Sequence, residues 1–154
     1  MKSFKEFLNE RSAPISNKQS YEDPRIVPYA KVNRFKDIQQ MIENGADVNY
    51  ISPSEENRTA LYWASRRGYK GLVQLLLDNG AEVNTKNDFG STPLHGACLH
   101  SEEDDAVFIS KLLINSGANV NAKNNSGETP LSLAFTVHDF GELSAYLESK
   151  GAKR

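Results

Sequence analysis

The stretch Ser91-Thr92-Pro93-Leu94-His95-Gly96-Ala97-Cys98, followed by Ser116-Gly117-Ala118-Asn119-Val120-Asn121, decides how the rest of the chain is read. Thr92 is placed to cap a helix, its hydroxyl accepting from an amide left free at the helix start. Pro93 follows at the first helical position, where its missing N–H costs nothing. Leu94, Ala97 and Cys98 stand three and four apart, the apolar stripe of a short helix. A second apolar run, Val107, Ile109, Leu112, Leu113 and Ile114, predicts a second helix that Gly117 ends by entering the left-handed conformation. Asn121 then leads to an extended stretch whose tip, Asn124-Asn125-Ser126-Gly127, carries turn residues of hairpin type.

This unit recurs. Arg58-Thr59-Ala60-Leu61 and Glu128-Thr129-Pro130-Leu131 repeat its opening, and Asn44-Gly45-Ala46-Asp47-Val48-Asn49 and Asn79-Gly80-Ala81-Glu82-Val83-Asn84 repeat its close. Thr59 and Thr92 are 33 positions apart, Thr92 and Thr129 37. A period in this range means stacked supersecondary units, each hiding its apolar side against its neighbours. Leu61, Trp63 and Ala64 line the first helix of the second unit; Leu72, Val73, Leu75, Leu76 and Leu77 line its second helix. Asn57 stands where the later units have Gly90 and Gly127, and asparagine tolerates positive φ. Pro28 lies in the first-helix region of the first unit, so that helix is expected to be short or to start there. The last second-helix places Glu142, Ser144, Glu148 and Ser149 between Leu143, Tyr146 and Leu147, as suits an end unit that faces water.

Thr92-Pro93-Leu94-His95 and the Gly-Ala-x-Val-Asn runs resemble the ankyrin repeat. The resemblance implies an all-α solenoid of about four stacked helix-turn-helix repeats (about 24–51, 57–86, 90–123 and 127–154) with short β-hairpin tips. It divides the chain into an N-terminal segment and linker, 1–22, and a repeat domain, 23–154. It also implies that His95 hydrogen-bonds between neighbouring turns, and that the tips and first helices form a concave face for a protein partner. On that face it places Glu55, Glu56, Arg58, Tyr62, Arg66 and Arg67 of the second repeat and Asp88, Phe89, Ser91, Leu99 and His100 of the third. Phe89 and Leu99 have the character of interface anchors.

Four extra residues of the third repeat fall within Leu99 to Ala106. They read as a lengthened acidic loop, Glu102-Glu103-Asp104-Asp105, beside Arg66 and Arg67 and part of the partner footprint. As a catalytic pair these acids are unconvincing, since a charge run is normally a solvated one.

Other functions find little support. The net charge of -2 and pI near 5.9 give no general attraction to nucleic acid or an acidic membrane. One cysteine excludes an internal disulfide framework and suits a reducing cytoplasm. No apolar run approaches the ~20 residues of a membrane span, and no secretory h-region follows the start. His95, Cys98 and His100 match no zinc spacing; Cys98 reads as a small core residue. No phosphate-binding glycine loop occurs. The expectation is a monomeric, non-enzymatic binder with no cofactor, metal or catalytic residue.

Met1 to Ser20 fall outside the repeats. Phe4, Phe7 and Leu8 share one helical face, and the polar stretch from Arg11 to Asp23 reads as a linker. One expectation is a short helix covering the first repeat. The run Met-Lys-Ser-Phe-x-Glu-Phe-Leu-x-Glu is also similar to the capsid-targeting peptide of internal head proteins of large tailed phages, which is cut after a motif that Leu8-Asn9-Glu10 matches. Arg11 departs from the small residue that usually follows the cut. That resemblance implies a phage product, in the bacterial host cytoplasm or the virion.

Overall fold

The structure, a computed structural model, describes residues 21–137 and 140–153. The expectations of a covering helix and a processing site in Met1 to Ser20, and of a linker as far as Ser20, therefore lie outside the described residues. Tyr21, near the end of that linker, is instead bonded to the first repeat, its N–H donating to the Gly45 carbonyl at 3.1 Å and its carbonyl accepting from the Asp47 amide at 2.9 Å. Among the described residues eight α-helices follow one another in four pairs: α1 Ile26–Lys31 with α2 Phe35–Glu43, α3 Ala60–Arg66 with α4 Lys70–Asp78, α5 Pro93–Cys98 with α6 Glu103–Asn115, and α7 Pro130–Val137 with α8 Gly141–Ser149. The first helices pack on one another as an inner row, α1 on α3, α3 on α5 and α5 on α7. Behind them α4 packs on α6 and α6 on α8.

The helix starts follow from the residues that open them. The Thr59 hydroxyl accepts from the Tyr62 amide at 3.2 Å. Thr129 and Ser132 cap reciprocally: the Thr129 oxygen accepts from the Ser132 amide at 3.2 Å, and the Ser132 oxygen from the Thr129 amide at 2.9 Å. Pro93 and Pro130 stand at first helical positions, as expected. Pro28 is the third residue of α1, still within the turn whose amides have no intrahelical partner. Gly117 adopts φ +95° and Asn57 φ +56°, both in the left-handed region that the sequence demanded there.

The core is one continuous seam. Ile26, Val27 and Ala30 of α1 lead to Leu61 and Ala64 of α3, Leu94, Ala97 and Cys98 of α5, and Leu131 and Ala134 of α7, all buried. Ile38, Leu72, Leu76, Ile109, Leu113, Leu143 and Leu147 fill it from the outer row. Each such side chain contributes about 1.5–3 kcal/mol by leaving water, but only while its neighbouring unit is present. Ser144 is buried as well, contrary to the expectation that it faces water.

Three findings change the expected picture. Among the described residues the tips are not strand pairs. Each is a turn whose base is closed by a backbone bond, Ser52 N–H to Arg58 at 3.1 Å, Asn87 N–H to Ser91 at 3.1 Å and Asn124 N–H to Glu128 at 3.0 Å, with a tighter bond inside it, from Asn57 to Ser52, Gly90 to Asn87 and Gly127 to Asn124. The Asn87 carboxamide oxygen accepts the amides of Phe89 and Ser91, and that of Asn124 the amides of Ser126 and Glu128, leaving no ladder to extend. The tips are instead bonded to one another, Asp88 N–H to Glu56 and Asn125 N–H to Phe89.

The second finding is an asparagine clamp along the opposite edge. Asn49 donates to the Gly80 carbonyl and accepts from the Glu82 amide; Asn84 does the same with Gly117 and Asn119, and Asn121 with Gly151 and Lys153. The terminal asparagine of every Gly-Ala-x-Val-Asn run thus staples its unit to the next.

The third concerns the acidic insertion, which is mostly not a loop. Helix α6 has 13 residues where α4 has 9, so the extra length adds one turn at its start. Glu103, Asp104 and Asp105 form that turn, where negative charge is favoured by the helix dipole.

Candidate protein-binding face

Trp63 organises the face around α3. Its indole is 7% exposed and is approached by three cations: Lys31 Nζ lies 4.6 Å from the ring centroid, the Arg58 guanidinium 4.9 Å and that of Arg67 5.7 Å. Tyr62 meets Trp63 edge to face at 6.0 Å. Arg58 also lies over Tyr62 and Phe89, at 5.4 and 5.5 Å, so one guanidinium is shared by rings of two repeats. Glu56 pairs with Arg58, and Glu55 with Lys31 at 3.0 Å. Arg66 and Arg67 have no carboxylate partner among the described residues.

Beside Trp63 an open groove of about 440 Å³ runs between the second and third repeats, lined by Trp63, Arg66, Arg67, Tyr69, Leu99 and His100 with Ser101. His100 forms its far wall. Its Nδ1–H donates to the Arg66 carbonyl at 3.2 Å, and Nε2 stands 3.6 Å from Asp105. The ring packs over Gly68, whose φ of +77° and missing Cβ make the room: a Cβ there would sit 2.4 Å from His100 Nε2. Asp105 in turn takes Lys70 at 2.5 Å, and these two partners, Lys70 foremost, hold its carboxyl below the usual carboxylate range. A somewhat larger hollow of about 480 Å³ lies on the other edge, between Leu77 and Ser116. Asn84, which lines it, is spent in the clamp, and it holds no comparable group of cations.

Arg58, Arg66, Arg67, Leu99 and His100 therefore come together with Phe89, which is 50% exposed, and Asp88 beside it. Asp88 accepts from Asn57 at 2.6 Å, fixing the tip. Tyr62 and Ser91 were expected to be exposed and are buried, at 5% and 7%. Tyr62 turns under the Arg58 guanidinium, and the Ser91 amide is drawn in by Asn87. The acidic run splits. Glu103 accepts from the amides of Glu142 and Leu143 at 2.8 and 3.1 Å, capping α8 of the last repeat, and Asp105 is engaged as above. Glu102 and Asp104 are exposed. Trp63, Tyr69 and Lys31 are the residues that sequence reasoning did not single out for this face. Their signal was available, since Trp63 occupies the register of Gly96, where a bulky aromatic is unexpected.

His95 performs the expected bridge. Its Nδ1 accepts from the Thr92 amide at 3.1 Å and meets the Thr92 hydroxyl at 2.9 Å, while Nε2–H donates to the Glu128 carbonyl at 3.1 Å. Burial first, and nearby Lys86 further, push its pKa below the ordinary histidine value. Burial pushes the Cys98 thiol up to about 12, which leaves it no thiolate at neutral pH. Among the described residues no three His, Cys, Asp or Glu side chains gather as a metal site would require. No helix among them is long and apolar enough to cross a membrane.

Comparison with known proteins agrees with this architecture. The family of ankyrin repeats (3 copies) matches residues 3–87, 29–107 and 72–152. The chain belongs to the ankyrin repeat family, whose members generally serve as protein–protein interaction modules. It is 38% identical over 80 residues to serine/threonine-protein kinase 12 of Arabidopsis thaliana, a match covering 52% of this chain and 17% of that protein. It is 39% identical over 73 residues to 26S proteasome non-ATPase regulatory subunit 10 of Dictyostelium discoideum, covering 47% and 31%. To an ankyrin repeat protein of Fowlpox virus (strain NVSL) it is 37% identical over 104 residues, covering 66% and 30%. The chain thus spans less than a third of the length of each of these relatives.

Proposed function

We propose that this chain is a non-enzymatic binder of another protein, and that the face from the Arg58–Phe89 tips to the Trp63–Leu99 groove receives the partner. The observation that carries this is the pairing of a half-exposed Phe89 with a groove whose two rim arginines lack carboxylate partners among the described residues. Exposed aromatic and arginine side chains around a hollow are the composition of interface centres. The side chains with structural duties, His95 and Cys98, are occupied or inert and supply no nucleophile–base pair. Residues 23–154 act as the binding domain, as a monomer, with 1–22 as a separate segment.

The test is cross-linking with mass spectrometry on the partner captured from the native host. Cross-links and loss of capture should concentrate at Phe89→Ala and Arg67→Glu, with Gln74→Ala on the outer helices unaffected. A footprint confined to the outer helices would remove this reading.

A second reading rests on Met1 to Glu10 and their likeness to phage capsid-targeting peptides. On it the chain is a phage product carried in the virion and acting on a host protein, or serving as an internal head component. Mass spectrometry of purified particles should then show the chain beginning at Arg11. Its absence from particles, or only the intact chain, speaks against packaging and leaves the binding face untouched.

A further inference from the structure

We propose that the groove between Trp63 and Leu99 takes an acidic linear segment, one carrying Asp or Glu beside a Leu, Met or Phe side chain. The inference rests on the binding face proposed above and names the chemistry of its occupant.

Charge is the first argument. Four cations, Lys31, Arg58, Arg66 and Arg67, gather on and around Trp63, and two carboxylates, Glu55 and Glu56, answer them. Both of those carboxylates are committed, to Lys31 and to Arg58. Two positive charges remain at the groove, on the two arginines that line it. The nearby acids do not cancel them: Asp105 is held by Lys70 and His100, and Glu103 by the start of α8. Glu102 and Asp104 are not among the lining residues. Arg66 and Arg67 do sit at the C-terminal end of α3, where the helix dipole favours them.

The second argument is an unmet donor. Trp63 lines the groove while more than nine-tenths buried, and its indole Nε1–H, sealed from solvent, has no hydrogen-bond partner among the described residues. Indole nitrogen is donor only, and buried donors normally find an acceptor. A carboxylate offers acceptors to the two arginines, and guanidinium groups bind it in a bidentate fork. Leu99 and the Tyr69 ring supply the apolar part of the lining, which accounts for the leucine, methionine or phenylalanine.

The experiment uses the full chain, immobilised, to select from a displayed library of random octapeptides. Enriched sequences should carry Asp or Glu next to a large apolar residue. A synthetic copy of the leading sequence is then titrated in solution against the emission of Trp63, the only tryptophan in the chain, which reports the groove directly. We expect a saturable change, weakened by salt and by about tenfold or more in the double variant Arg66→Glu, Arg67→Glu, whose circular dichroism should show the parent fold at the temperature of the titration. Enrichment of neutral or basic peptides overturns the proposal, as does no enrichment, or an unchanged affinity in the folded double variant. So does competition by a uridine dodecanucleotide, which assigns the groove to nucleic acid. An emission change on raising the protein concentration alone assigns it to a second copy and overturns it equally. A host partner cross-linked at Phe89 and Arg67 together with a failed peptide selection would keep the binding face and discard the acidic occupant.

Discussion

The second and third repeats share a backbone plan and use it in opposite ways. At the third helical position, counting from the capping threonine, the second repeat has Tyr62 and the third His95; at the next it has Trp63 against Gly96. His95 is fully buried and tied to the fourth repeat, whereas Tyr62 supports the Arg58 guanidinium from below. Gly96 lets α5 come close to α3: a Cβ there would lie 3.2 Å from the Tyr62 carbonyl oxygen and 3.5 Å from Arg66 Cβ. Trp63, in the same register, instead fills space toward α1 and gathers three cations. The third repeat is built to be held by its neighbours, and the second to present side chains. Recognition and cohesion are thus divided between adjacent units rather than shared by each.

Exchanging the two registers is the harshest way to break that contrast. Gly96→Trp forces an indole against the Tyr62 carbonyl and should cost roughly 3 kcal/mol or prevent folding, measured by urea denaturation. An unperturbed midpoint would mean that the helices tolerate separation and that close approach is incidental.

The next test removes the tie itself. His95→Ala strands the Glu128 carbonyl and the Thr92 amide and should cost about 2–3 kcal/mol, whereas Tyr62→Phe should cost under about 0.5 kcal/mol. The histidine also sets a pH dependence. Its folded pKa lies below the ordinary value of about 6.5, so the unfolded chain binds the proton more readily. Stability from this group is complete above that value and falls as the pH drops below it toward the folded pKa. Melting curves between pH 7 and 5 should show a decline that His95→Gln flattens.

The added turn of α6 gives smaller effects that sharpen the comparison. Glu103→Ala uncaps α8 and should lower stability by about 1 kcal/mol. Lys70→Ala, at the start of the shorter helix α4, breaks a pair that is 43% and 31% exposed and a contact with the half-exposed Phe108 ring, and should change it by under about 0.5 kcal/mol. Equal losses in the two variants would show that the insertion has no structural use peculiar to the third repeat.

Much of the fold was legible because the repeat carries local signals. Thr59, Thr92 and Thr129 as caps, Pro93 and Pro130 at first positions, and Gly117 and Asn57 at positive φ each act within a few residues. The spacing of Leu94, Ala97 and Cys98 likewise fixed which side of α5 is buried. The acidic run was misread because a charged stretch between two helical patterns looks the same as a loop or as an added turn. Only the partners of Glu103 and Asp105, 39 residues ahead and 35 residues behind, distinguish the two. The candidate face was half legible. Arg66, Arg67, Phe89 and Leu99 were located by their register, while Trp63 was assigned to the core because burial and exposure at a groove edge share one periodicity.

Sequence alone settled the period, the helix pairs and the residues that start and stop them, since those depend on contacts within one unit. Tertiary structure decided what the spare polar groups do. The asparagine clamps, the approach of Lys31 to Trp63 and the capping of α8 by Glu103 join residues about 30 to 40 positions apart. Such pairings depend on the offset between stacked units, a distance set by how Gly96, Tyr62 and their neighbours pack.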